Sequence, residues 1–103
     1  MGAPHDAIAD FNQAIQINPN DARTYNNRGI AKAQLSDYHA AIDDFNQAIQ
    51  INPQLAKAYY NRGNAKLQIG DKEGARADFL EARRLDPKIE FPDEIEKFLK
   101  ETE

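Results

Sequence analysis

The nine-residue stretch FNQAIQINP occurs twice, as Phe11–Pro19 and again, letter for letter, as Phe45–Pro53. The distance from Phe11 to Phe45 is here called the repeat period. A diverged third copy, FLEARRLDP, follows one repeat period after the second and begins at Phe79. Each copy joins an amphipathic helical pattern to a proline, and that proline ends the helix because the residue before it avoids helical torsion angles. Each of the three copies therefore predicts a helix that ends before its proline.

A second block with the same period rules out a chance duplication. Asn-Arg-Gly-x-Ala-Lys begins at Asn27 and occurs again from Asn61, one repeat period later. An alanine also stands four residues before each phenylalanine, at Ala7, Ala41 and Ala75. Self-similarity at a fixed period of 20–50 residues is the signature of a repeat protein.

The spacing of apolar residues predicts an all-α chain without strands. Helices are expected over residues 6–17, 22–35, 38–51, 55–69, 72–85 and 92–101. Asn20 and Asp21 supply the predicted N-cap of the second helix, Asp37 and Asp71 those of later helices, and Gly70 is predicted to end its helix in a left-handed conformation. Pro92 is expected in the first turn of the last helix.

Period and helix pairing together resemble the tetratricopeptide repeat (TPR) family. The family pattern is W-x2-L-G-x2-Y, then A-x3-F, then P. Its counterpart here is Tyr25-x2-Arg28-Gly29-x2-Lys32, then Ala41-x3-Phe45, then Pro53. The same counterpart occurs again one repeat period later. The resemblance implies a short right-handed α-solenoid of stacked antiparallel helix pairs. It divides a single domain of residues 1–103 into a half repeat (6–19), two repeats (22–53 and 56–87) and a capping helix (91–102).

The family resemblance also implies a concave groove lined by the first helix of each pair, and this groove is the predicted site. An asparagine carries both donors and an acceptor, so Asn27 and its equivalent Asn61 could hold an extended peptide backbone. The alternative is that they cap or bridge helices locally. Tyr60 and Asn61 are expected on the solvent side, where their replacement would leave the melting temperature nearly unchanged. The predicted groove residues are Arg23, Asn26, Asn27, Ile30, Lys57, Tyr60, Asn61 and Asn64.

Two arginines stand where the family usually buries leucine. A buried unpaired charge is costly, so Arg28 and Arg62 are expected to pair with carboxylates. The aspartates that precede each phenylalanine are the candidates, either within the repeat (Asp44 and Asp78) or on the preceding helix (Asp10 and Asp44).

Composition argues against several classes of function. The net charge is −4 and the isoelectric point about 5.1, which disfavours nucleic acid as a partner. No apolar run has the length of a membrane span, no cysteine is present, and the first residues carry no signal peptide. We therefore expect a soluble protein, cytoplasmic rather than secreted.

No catalytic or metal-binding constellation is found in the sequence. His5 and His39 are the only histidines, and neither has a second ligand at helical spacing. The five glycines do not form a phosphate loop. No enzymatic activity, cofactor or metal is predicted.

The sequence thus predicts a non-catalytic protein–protein interaction module that binds a peptide or partner segment in its groove. The alternative is a structural or engineered repeat fragment that mainly self-associates, since near-identical repeats offer little variety for recognition. The first helix lacks a preceding partner, so its apolar residues Ile8, Phe11 and Ile15 are expected to remain open to water. A homodimer through this end is predicted.

Overall fold

Six helices and no strand make up the part of the chain that the structure, a computed structural model, describes, which is residues 3–102. The single domain predicted over residues 1–103 therefore extends past the described residues at both ends. The helices are α1 (Pro4–Ile17), α2 (Ala22–Gln34), α3 (Tyr38–Ile51), α4 (Ala56–Gln68), α5 (Lys72–Leu85) and α6 (Asp93–Glu101). The predicted all-α class is confirmed.

Side-chain capping explains where α2 and α5 begin. The Asp21 carboxylate accepts a hydrogen bond from the Arg23 amide at 3.1 Å, and the Asp71 carboxylate accepts one from the Gly74 amide at 2.9 Å. The prediction for Asp37 is wrong in part, because it occupies the N-cap position without a capping bond from its side chain. Pro92 is likewise the N-cap of α6 and does not lie inside its first turn.

Two equivalent turns close the helix pairs, and both need a positive φ. Gly70 has φ +85°, as predicted for a left-handed cap, and the equivalent Ser36 has φ +62°. Glycine adopts this conformation freely, whereas an L-residue with a side chain does so at a cost. The first turn therefore carries backbone strain that the second lacks.

The helices stack in chain order. α2 packs on α3 and α4 on α5, while α1 packs on α2 and α3 on α4, so that the molecule is elongated, measuring 42 × 25 × 22 Å. Each helix pair leaves an apolar face that only the next pair can cover. The arrangement is an all-α solenoid of helix pairs, as predicted.

Close contact inside each pair depends on a glycine and a phenylalanine. A Cβ atom added to Gly29 would lie 2.5 Å from the Phe45 ring, and one added to Gly63 would lie 2.8 Å from the Phe79 ring. Both rings are essentially inaccessible to water. Each ring therefore lies against the glycine of its own helix pair.

The C-terminal segment packs against the second pair. Phe91, Ile95 and Leu99 are buried in one cluster with Phe79 and two alanines of α5. Phe98 meets the Phe79 ring edge to face, with centroids 6.1 Å apart. This packing also brings residues 86–90 beside α4, where they help to form the concave surface.

Candidate functional site

The eight predicted groove residues lie on α2 and α4 and line three adjoining depressions of the concave side. The central depression has a volume of about 410 Å³ and includes six of them. Arg23 lines a neighbouring depression of about 530 Å³, and Asn64 a third of about 310 Å³. The central six are Asn26, Asn27, Ile30, Lys57, Tyr60 and Asn61. The fold therefore brings the predicted residues together on one surface.

Three of these side chains are fully presented to solvent. Arg23, Asn27 and Lys57 are exposed. Arg23 lies 3.6 Å from the Asp21 carboxylate with 82% of its side chain exposed, so this pair contributes little. Within residues 3–102, Lys57 forms no ion pair. Two cations and an amide are available to a ligand.

Asn26 and Asn61 are used differently from Asn27. The Asn61 side-chain amide donates a hydrogen bond of 3.0 Å to the Asn26 side-chain oxygen, which joins α4 to α2. Asn26 is buried, with 6% of its surface exposed. The bridging alternative thus describes Asn61, and the two equivalent asparagines are not equally free.

Tyr60 belongs to the core as much as to the groove. Its ring stacks on Phe91 with centroids 5.5 Å apart and an interplanar angle of 7°, and it also lies 5.9 Å from the Phe79 ring. Aromatic pairs of this kind add to the energy of apolar burial. Tyr60 therefore packs against the core as well as facing the groove, so we expect its replacement to lower stability, and the effect of removing Tyr60 and Asn61 on the melting temperature stays a prediction.

Part of the groove wall was not anticipated from the sequence. Ile89 and Glu90 line the central depression, and Asp86 lines the one that contains Arg23. Ile89 and Glu90 follow the last proline of the repeated words, where the residue types no longer match the earlier copies. As a result, carboxylates share the groove with Arg23 and Lys57, and its surface carries both charges.

A buried ionic network holds each helix pair together. The Arg28 guanidinium donates to both carboxylate oxygens of Asp44 at 2.7 and 2.8 Å, and Lys32 approaches the same group at 3.1 Å. Only 4% of the Asp44 side chain is exposed. The hydrogen bond from Arg28 to Asp44 raises the pKa of Arg28 further, against the opposing effect of burial. The guanidinium is therefore firmly cationic and paired.

The same network recurs in the second pair with nearly identical geometry. Arg62 donates to both carboxylate oxygens of Asp78 at 2.7 and 2.8 Å, and Lys66 lies 3.2 Å from the same carboxylate. The hydrogen bond to Asp78 raises the pKa of Arg62. Of the two predicted pairings, the one within the repeat is confirmed. The pairing of Arg28 with Asp10 is wrong, because α1 contributes Asn12 to Arg28 and Asp10 does not take part.

The described residues show no group suited to metal catalysis. Within residues 3–102, no cluster of three or more histidine, cysteine or acidic side chains has the geometry for a metal ion. Nor does any helix in that range have both the length and the apolar character needed to cross a membrane.

The N-terminal end is only partly covered. α1 contains no buried residue, and Ile8, Phe11 and Ile15 are half-buried. Ile15 packs against a cluster that includes Ala22 and Tyr25, so it faces the body of the protein and not the open end. The homodimer stays a prediction.

Comparison with known proteins agrees with this architecture. A sequence model described as tetratricopeptide repeat matches residues 3–59, and a second with the same description matches residues 56–89. No curated protein sequence gives a match.

Among solved structures, the Arabidopsis OM64 TPR domain is similar with 30% identity and a TM-score of 0.90, over 97% of this chain and 83% of that one. The first TPR of Spaghetti (RPAP3), bound to the HSP90 peptide SRMEEVD, has 26% identity and a TM-score of 0.88, over 96% and 79% of the two chains. The TPR2B domain of yeast Sti1, in a complex with pHsp70, has 28% identity and a TM-score of 0.84, over 94% and 80%.

Proposed function

We propose that this chain, which belongs to the tetratricopeptide repeat family, is a non-catalytic interaction module whose groove holds an extended peptide. One observation carries the proposal. A cation and an asparagine recur four residues apart on neighbouring helices, as Arg23 with Asn27 on α2 and Lys57 with Asn61 on α4, beside adjoining depressions. The exposed Asn27 amide suits a peptide backbone, whereas Asn61 is bound to Asn26, and the cations suit carboxylates.

The ligand we infer is an extended segment whose acidic group faces Arg23 and Lys57. The Spaghetti domain is described with the peptide SRMEEVD, so that peptide is a suitable first probe. Asp86 and Glu90 line the same surface. A ligand residue that lies beside Asp86 or Glu90 would be repelled if it were acidic, so the segment at that place should be cationic or neutral.

The test is binding to a peptide array, followed by titration of the best peptide and of SRMEEVD against a double variant, Asn27→Ala with Lys57→Ala. Both side chains are exposed, so unfolding free energy should change by less than about 0.5 kcal/mol. Affinity should fall about tenfold or more with the loss of a charge-assisted contact and an amide contact.

Lys72→Ala is the matched control, because it removes an exposed cation from α5, away from the groove. Its affinity should equal that of the unaltered chain. Peptides that bind both variants with unaltered affinity, or an array with no binding at all, would refute the groove as the site.

Self-association is the second candidate function, and the absence of any buried residue in α1 favours it. A chain that mainly associates with itself would sediment as a dimer at micromolar concentration and bind no peptide in the array. A monomer that binds peptides through Asn27 and Lys57 would exclude this alternative.

A further inference from the structure

α1 packs on its neighbour through the same contacts that α3 uses. The Asn12 side-chain oxygen accepts a hydrogen bond of 2.8 Å from Arg28, and Asn46, which stands one repeat period later, accepts one of 2.8 Å from Arg62. Ile15 and its equivalent Ile49 pack against one shared cluster. α1 is thus related to α2 as α3 is to α4.

The opposite side of α1 differs from α3 in being only partly covered. It carries Ala7, Asp10, Phe11 and Ala14, here called the open α1 face. Their equivalents in α3 and α5 have at most 3% of their surface exposed, whereas α1 has no buried residue and Asp10 is exposed. The equivalents are Ala41, Asp44, Phe45 and Ala48 in α3, and Ala75, Asp78, Phe79 and Ala82 in α5.

The cover of α3 and of α5 follows one rule. In α2, Arg28 and Lys32 bind the Asp44 carboxylate, and Gly29 makes room for the Phe45 ring. α4 repeats these contacts on Asp78 and Phe79, again through Arg-Gly-x2-Lys. A helix with this pattern therefore supplies two cations for the aspartate and a gap for the ring.

We propose that the open α1 face is a docking site for a helix that carries Arg-Gly-x2-Lys. Within residues 3–102, Asp10 forms no ion pair, although both of its equivalents bind an arginine and a lysine. Phe11 needs a residue without a side chain opposite it, for the same reason that Phe45 needs Gly29. Charge and shape thus specify the partner more narrowly than apolar exposure alone would.

A second copy of the chain cannot supply this helix without unfolding part of itself. α2 and α4 are already packed on α3 and α5. α6 lacks the pattern, since Glu96 and Lys97 stand one repeat period after Arg62 and Gly63, and Glu96 is bound by Arg83 at 2.6 Å. A folded copy therefore has no free helix of the required type.

The experiment titrates the full chain with a peptide of residues 21–36, blocked at both termini, and follows the backbone amides by NMR. We expect shifts concentrated in α1 and an affinity that falls about tenfold for Asp10→Asn, because one partner of a desolvated charge pair is lost. A peptide with Arg28→Gln should be weakened equally. Combining the two changes should add little further loss, as for groups that bind each other.

Controls separate this specific docking from general apolar cover. Asp6→Asn removes an exposed carboxylate from the first turn of α1 and should leave the affinity unchanged. A peptide with Gly29→Val should fail to bind, because its side chain would meet the Phe11 ring. Equal binding of the valine peptide, no dependence on Asp10, or a stable dimer whose α1 amides ignore the peptide would each overturn the proposal.

Discussion

α1 and α3 share a run of identical residues that begins at Phe11 and Phe45, yet the two helices are buried to different extents. Phe45 is 1% exposed, and α3 buries three further residues, whereas α1 buries none. Both copies end at an Asn-Pro step. There the side-chain oxygens of Asn18 and Asn52 each accept a hydrogen bond from the backbone amide two residues later, at 3.2 and 3.1 Å. The shared sequence therefore fixes the helix and its end, and the neighbouring helix decides the burial.

The largest difference between the two helices should come from their phenylalanines. Phe45→Ala should lower the free energy of unfolding by about 3–5 kcal/mol, since it leaves a cavity beside Gly29. Phe11→Ala should cost about 1 kcal/mol, because a half-buried ring loses less contact with apolar neighbours. Urea denaturation followed by circular dichroism measures both. Equal costs would show that α1 is covered in solution.

Replacing the aspartate that precedes each phenylalanine should produce a smaller difference in unfolding free energy between the two helices. Asp44→Ala leaves Arg28 and Lys32 without their carboxylate and should cost about 2 kcal/mol, below the value for a fully buried pair because 19% of the Arg28 side chain is exposed. Asp10→Ala should change stability by less than about 0.5 kcal/mol. Asp78→Ala is the internal control and should match Asp44→Ala in the same urea titration.

The stability of the turn between α2 and α3 should be open to improvement. Ser36→Gly removes a side chain from a residue at φ +62° and should raise unfolding free energy by about 0.5 kcal/mol, since relief of strain exceeds the added chain entropy. The reverse change, Gly70→Ser at φ +85°, should lower it by about 1 kcal/mol. Thermal melts of the two variants would have to shift in opposite directions.

The smallest effect concerns a position where α5 departs from α1 and α3. Glu81 replaces their glutamine, and the hydrogen bond from Arg84 lowers the pKa of its carboxyl below the ordinary 4.5. A lowered pKa stabilises the fold above pH 4.5, and this contribution is lost as pH falls through the pKa of the folded state. NMR titration of Glu81 should show that Arg84→Gln raises its pKa, and an unaltered value would contradict the pair.

The elements predicted from sequence were those with local causes. Helix ends at Pro19 and Pro53 and the left-handed Gly70 follow from torsion limits, whereas the choice between Asp44 and Asp10 as the partner of Arg28 was left open by the sequence. The groove residues were also gathered on one side by helical periodicity. Their individual roles were not predictable, because periodicity gives the direction of a side chain and not its partner.

Tyr60 shows this limit most clearly. Helical periodicity puts it on the groove side, but its stacking on Phe91 depends on a later segment of the chain that leaves the repeat pattern. Ile89 and Glu90 reach the groove for the same reason. These residues depart from the residue types of the repeat, so no matching copy elsewhere in the chain indicates their contacts.

The sequence by itself determined six helices, their order and the residues that pack within each pair, because these depend on backbone torsion limits, apolar spacing and a constant repeat. Only the tertiary structure decided which identical residues are buried and which remain open. Phe11 and Phe45 begin the same run of residues, and the difference between them is that α2 places Gly29 against one ring and no helix among the described residues covers the other in this way. Burial is a property of the contact between two helices, so one helix cannot specify it alone.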